Sequence, residues 1–350
     1  MTEKIAIIGS GNWGSAIAKV IGVNVRRYPE LFDQEVRMWM FEEDYKGQKL
    51  SQIFNKTHEN AKYLPGITID DCVVAVTDVV ESIKDATLLV FVTPHQFLKK
   101  TCQQIKPHLS PRARAISLIK GVDLNEDGVV LLSDIIKDNL GIDTSVLMGA
   151  NIANEVAKGM FSEATIGSKD AKNAEMFVKV FDTPTFKCSW IDDVAGVEIC
   201  GAIKNVVALA AGFCDGMKLP GNTKAAVLRI GLLEMRAFAQ YFFSGVKTDT
   251  FFESCGLADL FVTCTEGRNR KCAEAFARGG KSFSQVEAEL LNGQKLQGTG
   301  TAEEVYRILK KKKITQDFPL LTAVYEISFE GKPPRYLLEA LANQKPKSKL

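Results

Sequence analysis

The sequence predicts an α/β domain built on a parallel sheet, followed by an all-α domain. Three observations carry that expectation: short apolar runs alternate with helical stretches over the first half, a glycine-rich turn follows the first run, and the alternation stops near residue 190. A chain of 350 residues is too long for one ordinary core, so two domains are expected, at residues 1–191 and 192–350.

The elements justify themselves in order. Lys4–Ile8 reads KIAII, a short buried-strand pattern, and Ser15–Val23 looks helical. Further strands are expected at Val36–Phe41, Val73–Val76, Leu88–Val92, Ala115–Ile119 and Ser145–Met148, with helices between them such as Leu131–Leu140. Such alternation means a parallel sheet covered on both faces. Beyond Asp192, the stretches VEICGAIKNVVALAAGF, TKAAVLRIGLLEMRAFAQYFF, KCAEAFARGG, FSQVEAELLN, TAEEVYRILKKKK and FPLLTAVYEISFE favour helix by period or propensity. Lys310–Lys313 reads as a solvated helix end.

Composition narrows the class. The 46% apolar and 25% charged fractions are those of a globular protein, and a net charge of +2 gives no field that implies nucleic acid or a membrane. The eight cysteines form no CxxC pair, and His58, His95 and His108 are not at metal-ligand spacing, so no metal is expected and a reducing compartment is. No uninterrupted apolar stretch approaches the ~20 residues of a bilayer span. Met1–Lys4 runs straight into a strand, leaving no room for a signal peptide, so a soluble chain is expected. The last residues, Ser348-Lys349-Leu350, read as a peroxisomal address, with a cytoplasmic or dual location as the alternative.

Gly9-Ser10-Gly11-Asn12-Trp13-Gly14 fits G-x-G-x-x-G, and it stands between a strand and a helix at the start of a βα series. That context makes the first domain Rossmann-type. Gly9 permits the tight turn, Gly11 lets the backbone approach a pyrophosphate, and Gly14 lets helix pack on strand, with the helix N-terminus facing the phosphates. Glu42 and Glu43 after the second strand would hydrogen-bond ribose hydroxyls and repel a 2′-phosphate, favouring NAD over NADP. They lie farther from the motif than the usual ~20 residues, an excess that NVRRYPELFDQE would absorb as an inserted loop; Arg26 and Arg27 within it keep NADP open. Gly280-Lys281-Ser282 resembles the end of a P-loop, but Ala275 stands where the first glycine is needed.

A bound nicotinamide implies hydride transfer, which needs a proton donor or cation at the reacting oxygen. Lys204 lies mid-helix in GAIKNVVALAAG, where lost solvation would lower its pKa toward that of a general acid; Lys120 ends AISLIK. Snorkelling is the alternative for both. Helical spacing aligns Val197, Gly201, Lys204, Asn205 and Ala208, and small residues at 201 and 208 would let a flat ring lie close. Asp259, an acid in an apolar stretch, needs a partner, and Lys204 is the candidate. Asn151 follows a strand end and either positions the ring or its ribose or is a plain turn residue. Gly267-Arg268-Asn269-Arg270 at a helix start suits a phosphate dianion, or is a solvated basic turn.

GSGNWGSAIA, MWMFEED, VTPHQF, SLIKGV, MGANIANE, EICGAIKNVVALAAGFCDG, NTKAAV, GLADL, GRNRK and LLNGQKLQG together resemble the NAD-dependent glycerol-3-phosphate dehydrogenases of the eukaryotic type, over about residues 4–330. The resemblance implies interconversion of dihydroxyacetone phosphate plus NADH with sn-glycerol 3-phosphate plus NAD⁺ in a homodimer. It implies Lys204 as general acid/base, with Lys120, Asn205, Asp259 and Thr263 around the reacting carbon. Arg268 and Asn269 would hold the substrate phosphate, Lys120 would also bind substrate, and Phe41, Phe97, Asn151, Ala153, Arg268, Lys295 and Gln297 would join Gly9, Ser10, Gly11, Asn12, Trp13 and Gly14 at the cofactor. Glu266 stands where the family often has a glycine. The rival readings are another two-domain hydroxy-acid dehydrogenase and a non-catalytic NAD(H)-binding protein.

Overall fold

The computed structural model describes residues 2–124, 128–291 and 295–342. Ser348-Lys349-Leu350 lies outside them. The chain divides into two compact units, Met1–Lys120 with Val130–Glu198, and Gly121–Val129 with Ile199–Leu350.

The first unit carries an eight-stranded sheet. Its strands are β1 (Glu3–Ile8), β2 (Phe32–Trp39), β3 (Val73–Val76), β4 (Leu88–Phe91), β5 (Arg114–Ser117), β6 (Thr144–Met148), β7 (Ser162–Gly167) and β8 (Phe186–Ile191). Their order is β8-β7-β6-β5-β4-β1-β2-β3. All pairs are parallel except β6 with β7, so the sheet is parallel-dominated rather than wholly parallel. Its helices include α1 (Asn12–Arg27), α2 (Leu50–Thr57), α3 (Leu98–Ile105), α4 (Leu132–Leu140) and α5 (Ala171–Phe181). Alternate residues of β1 point to opposite faces: Ile5 and Ile7 pack with Ile17 and Ile21 of α1, while Ala6 and Ile8 pack with Leu98 of α3 and Ile136 of α4. Both faces are covered, which is why KIAII reads as one apolar run. The strand order reverses at β1, between β4 and β2, and such a reversal opens a ligand crevice at the strands' carboxyl ends.

The inserted loop expected before β2 does not exist. Helix α1 continues to Arg27 and β2 begins at Phe32, so the extra length is helix and strand. Asn24 looks like a loop residue but is buried, its amide donating to the carbonyls of Val180 and Asp182 at 3.0 and 3.1 Å. Strands β7 and β8 carry no run that announces them; along β8 only Phe186 is fully buried, as befits the sheet's edge.

The second unit is helical: most of α6 (Val194–Gly216), then α7 (Gly221–Phe242), α8 (Asp259–Glu266), α9 (Arg268–Ala277), α10 (Phe283–Leu291), α11 (Gln297–Lys312), α12 (Pro319–Phe329) and α13 (Tyr336–Ala342). Helix α6 carries Glu198 and Lys204, so it is not an uninterrupted apolar stretch. With 23 residues and a mean hydropathy of 1.6 it is long and apolar enough to cross a membrane, yet 89% of its apolar window is buried inside the protein, as in a core helix. Because it is buried all round, Gly201 and Ala208 do not form an open shelf for a ring. Close approach occurs instead at Gly212 and Gly216, where a methyl group would collide with the carbonyls of Arg270 and Glu274 and with Ala273 and Ala277, so α9 lies directly on α6. Asp215 fastens the pair, accepting from Lys224 at 2.7 Å and from Arg270 at 2.8 Å.

Near its start, α6 carries a fully buried acid, Glu198, which accepts from the Leu132 N–H at 2.6 Å and from Ser133, capping α4. Burial pushes this carboxyl from 4.5 up to about 7, against the pull of the Ser133 and Leu132 hydrogen bonds. The native state therefore holds the proton more tightly than the unfolded chain does. The resulting stability is complete below about 4.5 and is lost as pH rises toward about 7. Glu198→Gln is expected to flatten that part of the stability profile by roughly 3 kcal/mol. Urea unfolding at several pH values checks it, and parallel profiles for both proteins would contradict it.

Candidate active site

The glycine loop has the shape its sequence requires. Gly9 sits at φ +124°, a region closed to most side chains, and a Cβ there would press on Val92 and on the Thr93 nitrogen at 3.0 Å. A methyl group on Gly14 would run into the Gly9 carbonyl, so this residue lets α1 start tight against the turn. At Gly11 a Cβ would meet nothing within 4 Å, and Gly11, at the N-cap of α1, provides no side-chain cap. The first turn of this 16-residue helix thus has no side-chain cap and the space beside Gly11 is open, an arrangement that fits a pyrophosphate. Ser10 is buried; Asn12 gives its side-chain amide to the Tyr63 carbonyl at 2.7 Å and to Asn154 at 2.9 Å, and Trp13 packs edge-on against Phe186. The Asn12 and Trp13 side chains are thus both engaged within the protein.

The carboxylates beyond β2 are arranged otherwise than expected. Glu42 accepts from the Ser51 hydroxyl at 2.7 Å at the start of α2, and Glu43 accepts from the Tyr63 hydroxyl at 2.6 Å and pairs with Lys62. Burial alone would raise the Glu43 carboxyl, but the bonds from Lys62 and Tyr63 outweigh it and hold the group below its usual range. Both acids are engaged with the protein, so what they bring to the strand end is negative charge. Phe41 beside them is 70% exposed and Phe97, after β4, is 52% exposed. Exposed aromatic faces at the carboxyl edge suit a flat heterocycle.

Across the sheet, Lys120 follows β5 and Asn151 follows β6. The ammonium donates to Asn151 Oδ1 at 3.4 Å, a long bond. Asn151 is buried and its Nδ2 has no acceptor among the described residues, a deficit that costs about 1–3 kcal/mol and favours a ligand that supplies one. Ala153 opens the single turn Ala153–Ala157 just beyond.

In the helical unit, Lys204 is 5% exposed and donates to Asp259 Oδ1 and, at 2.9 Å, to Thr263 Oγ1; Thr263 in turn donates to Asp259 at 3.4 Å. Asp259 and Thr263 sit one turn apart on α8, which places both beside one ammonium. The surroundings of Lys204 are therefore not simply apolar: its charge is paired and hydrogen-bonded, as a buried charge must be. Next along α6, Asn205 accepts from Asn269 Nδ2 at 3.1 Å, and Asn269 Oδ1 accepts the Gly298 N–H at 2.9 Å. The Asn269 side chain thus ties α6 to the first turn of α11, and toward a phosphate the residue presents its first-turn backbone N–H. Arg268 is exposed at the start of α9, whereas Arg270 points back to Asp215 and Glu274. Glu266 is exposed at the end of α8.

Lys295 and Gln297 flank the start of α11. Buried Glu287 takes the Lys295 ammonium and the Leu296 N–H, both at 3.0 Å. These distant caps explain why α11 starts at Gln297, before the TAEEV pattern. Among the described residues no group of three His, Cys, Asp or Glu side chains is placed to hold a metal ion. No two of the eight cysteines form a disulfide, and burial pushes Cys264, beside Thr263, up to about 12, which makes it an inert thiol.

Comparison with known proteins decides the family. Models of the NAD-dependent glycerol-3-phosphate dehydrogenase N-terminus and C-terminus match residues 4–174 and 193–339. The chain belongs to the NAD-dependent glycerol-3-phosphate dehydrogenases. It is 55% identical to the human cytoplasmic glycerol-3-phosphate dehydrogenase [NAD(+)], covering 98% of each chain. It is also 55% identical to the mouse glycerol-3-phosphate dehydrogenase 1-like protein, covering 97% of this chain and 96% of that one. The solved structure of the Plasmodium falciparum glycerol-3-phosphate dehydrogenase superposes with a TM-score of 0.95 at 43% identity, over 99% of this chain and 97% of that one. The protein is an NAD-dependent oxidoreductase with a Rossmann-type first part and a helical second part.

Two buried polar residues beside these elements, Asn60 and Glu287, escape a reading of the sequence. Asn60 and Glu287 each bond a segment brought close by folding. The only local signal is a polar side chain in a stretch with no helical or strand period, HENAKY, or an acid on an otherwise ordinary amphipathic helix, FSQVEAELL.

Proposed function

We propose that Lys204 moves the substrate proton in the interconversion of dihydroxyacetone phosphate and sn-glycerol 3-phosphate. One observation carries the assignment: a buried ammonium held between Asp259 and Thr263. When bound, NADH supplies the hydride that reaches the carbonyl carbon. As negative charge builds on the carbonyl oxygen, Lys204 Nζ gives it a proton; in the oxidising direction the same nitrogen takes the proton from the hydroxyl. Asp259 and Thr263 hold the nitrogen in place, and Asn205 is fixed next to it by Asn269. Lys120 and Asn151 serve the substrate oxygen and the nicotinamide amide. The glycine loop, Phe41, Phe97, Ala153, Lys295 and Gln297 serve the rest of the cofactor. In this division residues 1–191 carry the dinucleotide and 192–350 carry the acid/base group.

Arg268, with the first-turn N–H groups of α9, takes the substrate phosphate. Arg268→Ala is expected to raise KM for dihydroxyacetone phosphate by about 10- to 100-fold, as befits a charge-assisted bond of ~1.5–3 kcal/mol. NADH oxidation followed at 340 nm and NADH fluorescence titration separate the two effects; equal damage to both constants would withdraw the phosphate role. We also propose a homodimer, supported by the exposed apolar side chains of Phe252, Leu257 and Phe261, close together in sequence; light scattering that finds only monomer would refute it. Import through Ser348-Lys349-Leu350 is supported by those three residues alone, and a fluorescent fusion whose location ignores their removal would end that idea.

A further inference from the structure

We infer that Asn60 is a positioning residue for the cofactor, fixing the glycine loop so that its N–H groups face the pyrophosphate. Asn60 is fully buried between the loop and the start of α1. Its Nδ2 donates to the Ser10 carbonyl at 2.8 Å and to the Ser15 hydroxyl at 2.8 Å, while its Oδ1 accepts the Tyr63 N–H at 3.2 Å. Both donor hydrogens and the acceptor are therefore in use. The Ser15 hydroxyl adds a second, weaker bond to the same Ser10 carbonyl at 3.3 Å.

The consequence is directional. In a phosphate loop every carbonyl turned toward the anion repels it and every N–H attracts it. Ser10 stands between the two glycines that give the loop its conformational freedom, and its carbonyl is drawn inward by two donors. Peptide planarity then fixes the direction of the next N–H, that of Gly11. The same segment takes Asn12's side chain onto the Tyr63 carbonyl at 2.7 Å, and the Tyr63 hydroxyl reaches Glu43 at 2.6 Å. Residues 60–63 thus join the pyrophosphate loop to the ribose end of β2. Asn60 itself touches no reacting atom, so its contribution is to cofactor affinity rather than to turnover.

The inference rests on the glycine loop as the pyrophosphate site, and the test separates the two. Asn60→Asp keeps the shape but places a carboxylate oxygen against the Ser10 carbonyl; Asn60→Ala removes the donors and guards against a folding failure of the first. In the full-length enzyme, both are expected to raise the NADH Kd by fluorescence titration, and KM for NADH, about 5- to 100-fold, as loss of the stronger of two bonds to a buried carbonyl does. Turnover at saturating NADH and KM for dihydroxyacetone phosphate are expected to stay within about twofold. Gly11→Val, whose side chain enters the open space before the phosphates, is the companion variant. If Gly11→Val weakens NADH binding and folded Asn60 variants do not, the positioning role is wrong while the loop assignment stands. If neither does, the loop assignment falls first. A fall in turnover equal to the fall in affinity would also overturn the positioning role.

Discussion

Lys204→Ala is expected to lower kcat by ~10²–10⁴-fold, the usual contribution of a positioned acid, while leaving the NADH dissociation constant within about twofold. The split follows from where Lys204 sits. Its ammonium is held within the helical unit by Asp259 and Thr263 of α8, whereas the glycine loop belongs to the first unit. Removing it takes away the proton that must reach the oxygen as hydride arrives, and it leaves phosphate and dinucleotide contacts alone. Single-turnover absorbance at 340 nm measures the chemical step, and fluorescence titration measures binding. Unchanged turnover would remove Lys204 from the mechanism, whatever became of affinity.

Asp259→Ala is expected to damage stability as well as activity. The Lys204 ammonium would remain buried, at 5% exposure, without its counter-charge. Breaking a buried pair in this way costs about 3–5 kcal/mol, far more than the ~0–1 kcal/mol of a surface pair. Asp259→Asn keeps an oxygen acceptor of the same shape but not the charge, so it should recover only part of the stability and little of the activity that depends on a charged neighbour. Denaturant midpoints at constant slope give the comparison. A loss near 1 kcal/mol for the alanine variant would mean that the pair is effectively solvated and unsuited to its proposed role.

Much of this site is legible in the amino-acid sequence itself. The strand–GxGxxG–helix order is a local pattern whose geometry is imposed by glycines at nearby positions, so the loop at Gly9–Gly14 can be read directly. Lys204 and Asp259 each stand out as a charge in an apolar stretch, and a buried charge needs a partner, which makes pairing them a physical deduction. Sequence and fold part company where partners are remote. Glu42 and Glu43 read as ribose ligands, yet Ser51, Lys62 and Tyr63 take them. The Asn269 side chain reads as a phosphate ligand, yet its amide bridges Asn205 and Gly298. The stretch before β2 reads as a loop because Asn24 is polar, and nothing near it in sequence reveals the carbonyls of Val180 and Asp182 that it satisfies.

The division has a single cause. Composition, the spacing of apolar residues and the glycines act over a few neighbouring positions, and they are enough to specify a βα half, a helical half, the dinucleotide loop and a lysine set inside an apolar helix. Which polar groups meet depends on contacts between different segments, from Glu42 with Ser51 to Asn60 with Ser10 and Lys204 with Asp259. A side chain's hydrogen-bonding capacity is written in its chemistry, but its partner is chosen only when the packed core brings one within about 3 Å.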